Sequence, residues 1–358
     1  MDNGRKYGID LLRVISMVYV VILHTLGHGG ILSTCVSGTY HYKTMWFLEI
    51  LAYVAVDLFA MITGYVCAFG NKSKISFNSY MVLYITVLLY SIILYVLIAL
   101  SPFGISFSLK EFLKYCFPIT NDVYWYFTQY TVLVVASSLI LIPVGSLDKK
   151  TYKLVIFGLF FLFSVLETIT GIFKLSNGYS SFWLIFCFII GYYIAKYDFG
   201  KNIPNYIIIV IMILLYIITW GIKISEIEFF IFDYSINKDV LVKYTSPTIV
   251  AAAVCYMILF SKIEVNKKIK GLLRVCTPSV FSVYLMNDHP IVRSMILQRF
   301  SWMSRYNTVI LLIMVLIYAL AFTTLAIIID QVRVFVIKRI RLKDRIDKAK
   351  DGILGLIK

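Results

Sequence analysis

Four ionisable side chains interrupt the first long apolar run, IDLLRVISMVYVVILHTLGHGG over Ile9–Gly30: Asp10, Arg13, His24 and His28. At 100° per residue of helix, Arg13, His24 and His28 fall within about 60° of Asp10, and the step from Arg13 to His24 rises about 16 Å. Arginine is permanently charged and suits phosphate or carboxylate groups, whereas histidine exchanges protons near neutral pH. On a straight helix the two are too far apart to grip one atom. They suit a long substrate with its anionic end near Arg13 and its reactive end near His24. A topology anchor paired with Asp10, three residues away on the same face, accounts for Arg13 equally well. An interhelical hydrogen bond does the same for His24.

Further polar insertions lie in otherwise apolar segments. Asp57 interrupts LAYVAVDLFAMITGYV well inside a second helix, where a carboxylate needs a partner or a proton. It orients a group of the first helix, binds substrate, or makes a structural interhelical bond. In NDVYWYFTQY, Trp125, Tyr126 and Tyr130 suit stacking on a sugar or acyl group, with Asn121 and Asp122 taking hydroxyls; the same aromatics mark any membrane interface. Glu167 is a weaker candidate of the same kind. FSVYLMNDHPIVR brings Tyr284, Asn287, Asp288, His289 and Arg293 into about three turns, and Pro290 releases or kinks the helix there. A polar cavity and a locally bonded kink both fit. The histidines, His41 included, have no metal-ligand spacing, so no metal is predicted.

These residues must be positioned by membrane helices. The 358 residues are 60% hydrophobic and 15% charged, with a mean hydropathy of +0.86, unlike a soluble globular chain. The fold expected is an all-α polytopic membrane bundle of about ten transmembrane helices, near 10–30, 47–70, 79–100, 123–143, 153–172, 178–195, 205–222, 244–261, 276–296 and 307–330. Pro102 and Gly104 should end the third span, Gly145 should follow the fourth, and Pro204 and Pro278 should mark starts.

Charge placement gives the orientation. Alternating the connections puts more than two-thirds of the 34 Lys and Arg residues, among them Arg5, Lys6, Lys72, Lys74, Lys270 and the final segment, on one side. The positive-inside rule then predicts both termini in the cytoplasm. The net charge of +15 sits in short connections and at the ends, which argues against a nucleic-acid partner. The domain division expected is an integral-membrane domain over 1–330 and a basic amphipathic cytoplasmic tail over 331–358, lying on the inner membrane surface or solvated. The six cysteines form no CxxC pair and read as small buried hydrophobes. A cleaved signal peptide is not expected, because Asp10 and Arg13 interrupt the first apolar run.

Several of these segments, in order, resemble the membrane acyltransferase-3 family, which contains bacterial polysaccharide O-acyltransferases. IDLLRVISMVYVVILH resembles the family's arginine, ten intervening residues and histidine, here Arg13 and His24, preceded by Ile9 and Asp10. VDLFAMITGYV resembles its Phe-Ser-Gly-Tyr segment, with Thr63 in the serine place, and YWYF at 124–127 resembles its Trp-Phe feature. FSVYLMNDH resembles its Tyr-Leu-x-His segment, except that Asn287 stands where histidine is usual and His289 follows two residues later.

The resemblance implies acyl transfer from acetyl-CoA or another acyl-CoA to a hydroxyl of a carbohydrate or lipid-linked glycan, in the bacterial cytoplasmic membrane. It implies coenzyme A recognition by Arg13 and acid–base chemistry at His24. Beside those roles, on the chemistry of the residues themselves, Asp10 or Asp57 would hold His24 in a useful tautomer, Tyr284 or Asn287 would stabilise an oxyanion, and Trp125, Tyr126, Tyr284, Asn287 and His289 would contact substrate, with transfer direct or by a covalent relay at His24. Two other classes remain open at this stage: a transporter or flippase for a glycan-related substrate, and a non-catalytic partner in a glycan-assembly complex.

Overall fold

The computed structural model describes residues 5–69, 75–102, 106–225, 229–231 and 234–357. It is an all-α fold with eight helices long and apolar enough to cross a membrane, together with two shorter apolar helices, consistent with a polytopic membrane bundle. In chain order these are α1 (Tyr7–Leu26), α2 (Tyr40–Phe69), α3 (Phe77–Ala99), α4 (Trp125–Ser146), α5 (Lys149–Thr170), α6 (Ser181–Lys196), α7 (Asn205–Ser225), α8 (Pro247–Lys262), α9 (Lys267–Asn287) and α10 (Thr308–Arg339). Each expected span overlaps one of them. The short members, α6 and α8, have 16 residues each, about 24 Å of helix against a hydrocarbon layer of about 30 Å.

Local sequence explains most of the ends. Asn307, Asp148 and Ser180 cap α10, α5 and α6 by accepting backbone N–H groups, and Pro247 opens α8 at a position where no N–H is needed. The ninth span differs from expectation. It starts earlier, at Lys267, and stops at Asn287 rather than continuing to residue 296. Pro290 cannot donate to a preceding carbonyl, so a separate short helix, Pro290–Ile296, starts there. The last helix runs past residue 330 to Arg339, followed by Leu342–Ile357. That terminal helix meets the start of α3, where Asn78 donates to Asp347. Between α7 and α8 a two-stranded antiparallel hairpin pairs Phe229–Ile231 with Tyr234–Ile236. Lys72, Lys74 and Gly104 lie outside the described residues.

Burial identifies the centre. Within their most apolar windows, α2 is 72% buried and α1 61%, against 17–28% for α3, α4, α5, α7 and α10. The peripheral helices therefore turn apolar side chains outward, including Leu139, Ile142 and Val309, as a lipid-facing surface requires. α1 packs against α2, α8, α9 and α10.

α2 and α6 are in backbone contact: a Cβ added to Gly64 would collide with the Phe188 carbonyl, and one on Gly191 with the Met61 carbonyl. Only glycine permits that approach. Gly191→Ala should accordingly destabilise the folded protein by about 1–3 kcal/mol. Gly158→Ala, where nothing lies within 4 Å, should change stability by about 0.5 kcal/mol or less. Thermal unfolding of both variants in detergent checks this contrast.

Candidate active site

α1 carries His24 half a turn before its end, and that end is pinned from outside. The Gln298 N–H donates to the His28 carbonyl and the Phe300 N–H to the Gly29 carbonyl, both at 2.9 Å. A Cβ on Gly29 would strike both the Thr25 carbonyl and the Phe300 ring, so the chain leaves α1 through a turn only glycine fits. His24 thereby faces the break between α9 and Pro290–Ile296.

Asn287, the last residue of α9, meets the ring directly: His24 Nδ1 hydrogen-bonds Asn287 Oδ1. A carboxamide oxygen only accepts, so Nδ1 is the donor, and in the neutral ring Nε2 then keeps its lone pair. Nε2 lies 4.0 Å from Asp288 Oδ1, and that oxygen lies 3.4 Å from Arg293 Nη1. Asp288 is 2% exposed. A proton taken up at Nε2 would sit beside a buried carboxylate.

His24, His28, Asp288 and Arg293 open on a cavity of about 280 Å³. Its opposite wall is aromatic, with Trp125, Tyr179, Tyr244 and Tyr53 in sequential ring contact at centroid separations of 4.5, 5.2 and 5.1 Å. Tyr126 and Tyr284 complete that side, the Tyr126 N–H donating to the Tyr284 hydroxyl at 3.3 Å. Three residues of the lining have a buried polar atom without a hydrogen-bond partner: Glu49 Oε2, Tyr126 Oη and Asp288 Oδ2. Unmade hydrogen bonds of buried groups are expensive. All three residues line the one cavity, where a side-chain shift would present these atoms to a polyhydroxylated ligand.

The predicted site residues separate into groups. His24, Trp125, Tyr126 and Tyr284 line this cavity, and Asn287 holds His24 from behind. Arg13 and Asp10 lie toward the other end of α1, bonded to each other at 3.4 Å, with Arg5 also on Asp10 at 2.6 Å. They line a second recess that shares no residue with the cavity. Asp57 accepts from the Trp183 indole at 2.8 Å and Cys187 at 3.7 Å. The structure therefore places neither Asp10 nor Asp57 against His24, whose ring is held by Asn287.

His289 is also away from the cavity. Its Nδ1 accepts the Ile291 N–H at 3.3 Å and its Nε2 donates to the Ser91 carbonyl at 3.2 Å, while Tyr115 stacks on its face at 4.9 Å. It caps the helix after the break. Glu167 spends both oxygens on backbone N–H groups of Phe173 and Leu175, His41 bonds Tyr306 and Thr308, and Asn121 bonds backbone carbonyls of Phe117 and Lys114. Sequence reasoning passed over Glu49, Tyr53, Tyr179 and Tyr244 as cavity residues. Only Glu49, a lone carboxylate in the apolar run MWFLEILAYV, gave a signal.

For a metal, one cluster among the described residues has suitable atoms: His24, His28 and Asp288, with ligand atoms within 4.8 Å of one another. Arg293 already faces that carboxylate, which opposes a cation there.

The helix bundle thus carries a partnered histidine facing an interior cavity. The comparison with protein families gives the class: a model described as an acyltransferase domain matches residues 6–330. The chain belongs to the membrane acyltransferase-3 family. No curated protein and no solved structure matches it.

The different settings of the histidines are open to direct test. Diethylpyrocarbonate should carbethoxylate His24, which opens on the cavity, at least about tenfold faster than His289, which is 0% exposed and reacts only after local opening. Peptide mass spectrometry of briefly treated protein reads both rates, and equal labelling would contradict these placements.

Proposed function

We propose that this protein transfers an acyl group, acetyl being the simplest, from acyl-CoA to a hydroxyl of a carbohydrate or lipid-linked glycan in the bacterial cytoplasmic membrane. Residues 1–330 form the membrane acyltransferase domain, crossing about ten times with both termini cytoplasmic, and 331–358 form the basic tail. The family match supports acyl transfer. The observation that carries the choice of site is His24, bonded at Nδ1 by Asn287 and directing its free Nε2 toward Asp288 across a cavity with an aromatic wall.

The acceptor's sugar ring stacks on the wall formed by Trp125 and its neighbours, and its hydroxyls satisfy Glu49 and Tyr126. Nε2 of His24 removes the proton of the reacting hydroxyl as that oxygen bonds to the thioester carbonyl carbon. The carbon–sulfur bond then breaks, and the proton on Nε2 passes to the leaving thiolate. Asp288 stabilises the imidazolium between these steps. Tyr284, whose oxygen accepts from the Tyr126 N–H, still has its own proton to offer the oxyanion. Arg13 binds the phosphate-bearing part of the donor.

Label transfer from radiolabelled acetyl-CoA to a panel of cell-envelope glycans, with the full chain in lipid nanodiscs, tests this reading. His24→Ala should lower the rate by about 10²–10⁴-fold while the protein remains folded. Folded His24→Ala with normal transfer would refute the assignment. Glu49→Gln should raise the acceptor KM by about tenfold and leave the acetyl-CoA KM unchanged. Arg13→Ala should do the reverse.

A further inference from the structure

At the opposite end of the bundle from His24, the start of α1 and the ends of α2, α6 and α8 surround a recess of about 620 Å³. The charges in it are unbalanced. Three cations converge on the buried Tyr7 ring: the Arg5 guanidinium at 5.1 Å from its centroid, Lys270 Nζ at 5.6 Å and the Arg274 guanidinium at 5.8 Å. Arg274 also donates to the Tyr7 hydroxyl at 2.8 Å. Lys6 sits 5.5 Å over Phe69. Some of the charge is answered, Arg5 by Asp10 at 2.6 Å and Lys201 by Asp198 at 3.3 Å, and Glu264 adds a carboxylate to the rim. Lys6 and Lys270 form no ion pair among the described residues.

Bringing like charges to one ring costs free energy that cation–π attraction offsets only in part. A polyanion seated among them removes the repulsion and gains charge-assisted hydrogen bonds. Phe69 and Phe199 line the same recess and are 44% and 36% exposed, so exposed aromatic surface lies beside the cations. Arg5, Lys6, Tyr65 and Phe69 line this recess and also the neighbouring one that holds Arg13. The basic mouth thus adjoins the recess that holds Arg13.

We infer that this recess binds the phosphorylated nucleotide end of coenzyme A, with Lys6 and Lys270 as its phosphate ligands. This rests on the acyl-CoA reading and extends it, because it assigns an anchor separate from Arg13. Lys6 to His24 spans about 27 Å of helix axis, a length that only an extended ligand held at both ends could use. An anionic lipid headgroup offers similar phosphate chemistry. The recess differs from a lipid-facing surface in being walled by five helices and in adjoining the Arg13 recess.

The test is equilibrium binding of coenzyme A and of 3′-dephospho-coenzyme A to the full chain in phosphatidylcholine nanodiscs. The wild type should prefer coenzyme A by about tenfold, and Lys6→Gln with Lys270→Gln should weaken coenzyme A by about tenfold or more and abolish that preference. Arg replacements at both positions should restore most of the affinity. Lys348→Gln with Lys350→Gln, equal in charge removed, should leave it unchanged. A double Gln variant that binds and discriminates like the wild type overturns the inference while the donor reading stands. A wild type that binds no coenzyme A takes both down. A double variant that loses only co-purified phosphatidylglycerol, with coenzyme A binding intact, makes this a lipid site and also overturns the inference.

Discussion

The fold depends on one constraint: within hydrocarbon, every polar group must find its partner in the protein. The chain carries ionisable residues inside α1, α2 and α9, and the bundle places these three among its central elements. The contact between His24 and Asn287 joins residues 263 positions apart. It ties the end of the first helix to the end of the ninth, at the height where α9 stops. The Gln298 and Phe300 bonds to the turn after α1 fix the same junction from outside. Losing the His24 bond would leave a buried carboxamide unsatisfied, so the contact that orients the candidate base also closes the bundle.

The break after Asn287 is the second element of that junction. An unbroken helix would have carried Asp288 and Arg293 around its axis, with their backbone groups committed to the helix. Pro290 ends that commitment, and His289 substitutes its Nδ1 for the missing acceptor at the start of Pro290–Ile296. Asp288 is thereby free to face His24 and Arg293 together. His289, with both nitrogens occupied and a ring stacked on Tyr115, supports this geometry from outside the cavity.

Much of this was legible in the sequence, for reasons particular to each residue. Apolar run length locates the helices, because the bilayer sets that length. The one-sided stripe of α1 follows from helical periodicity, and Pro290 announces the break. Periodicity does not say which helix faces which, so the partner of His24 fell to Asp10 or Asp57 by charge type, whereas packing supplies Asn287. His289 had the right chemistry for a site and the wrong environment: proximity in sequence to Asp288 carried no information about the direction of its ring. Glu49, Tyr53, Tyr179 and Tyr244 come from segments far apart in sequence, and aromatics near helix ends are common at any membrane interface. Only their assembly around one cavity distinguishes them.

The separation of Arg13 from that cavity has a mechanistic consequence. Arg13 and His24 share a helix but no recess, and Met17, one turn beyond Arg13, already belongs to the cavity side. Under the proposed function, a donor held at the basic end would have to pass the interval between Arg13 and Met17 to present its thioester to Nε2. Tyr126, which lines the cavity, stacks on Tyr130 at 6.3 Å, one turn further along α4. Side chains hop rotamers far faster than helices move, so rotation of such aromatics is the least motion that would admit a narrow pantetheine-like chain. A straight helix carrying Arg13 at one level and His24 about 16 Å away would give the proposed donor a fixed axis between its two contacts.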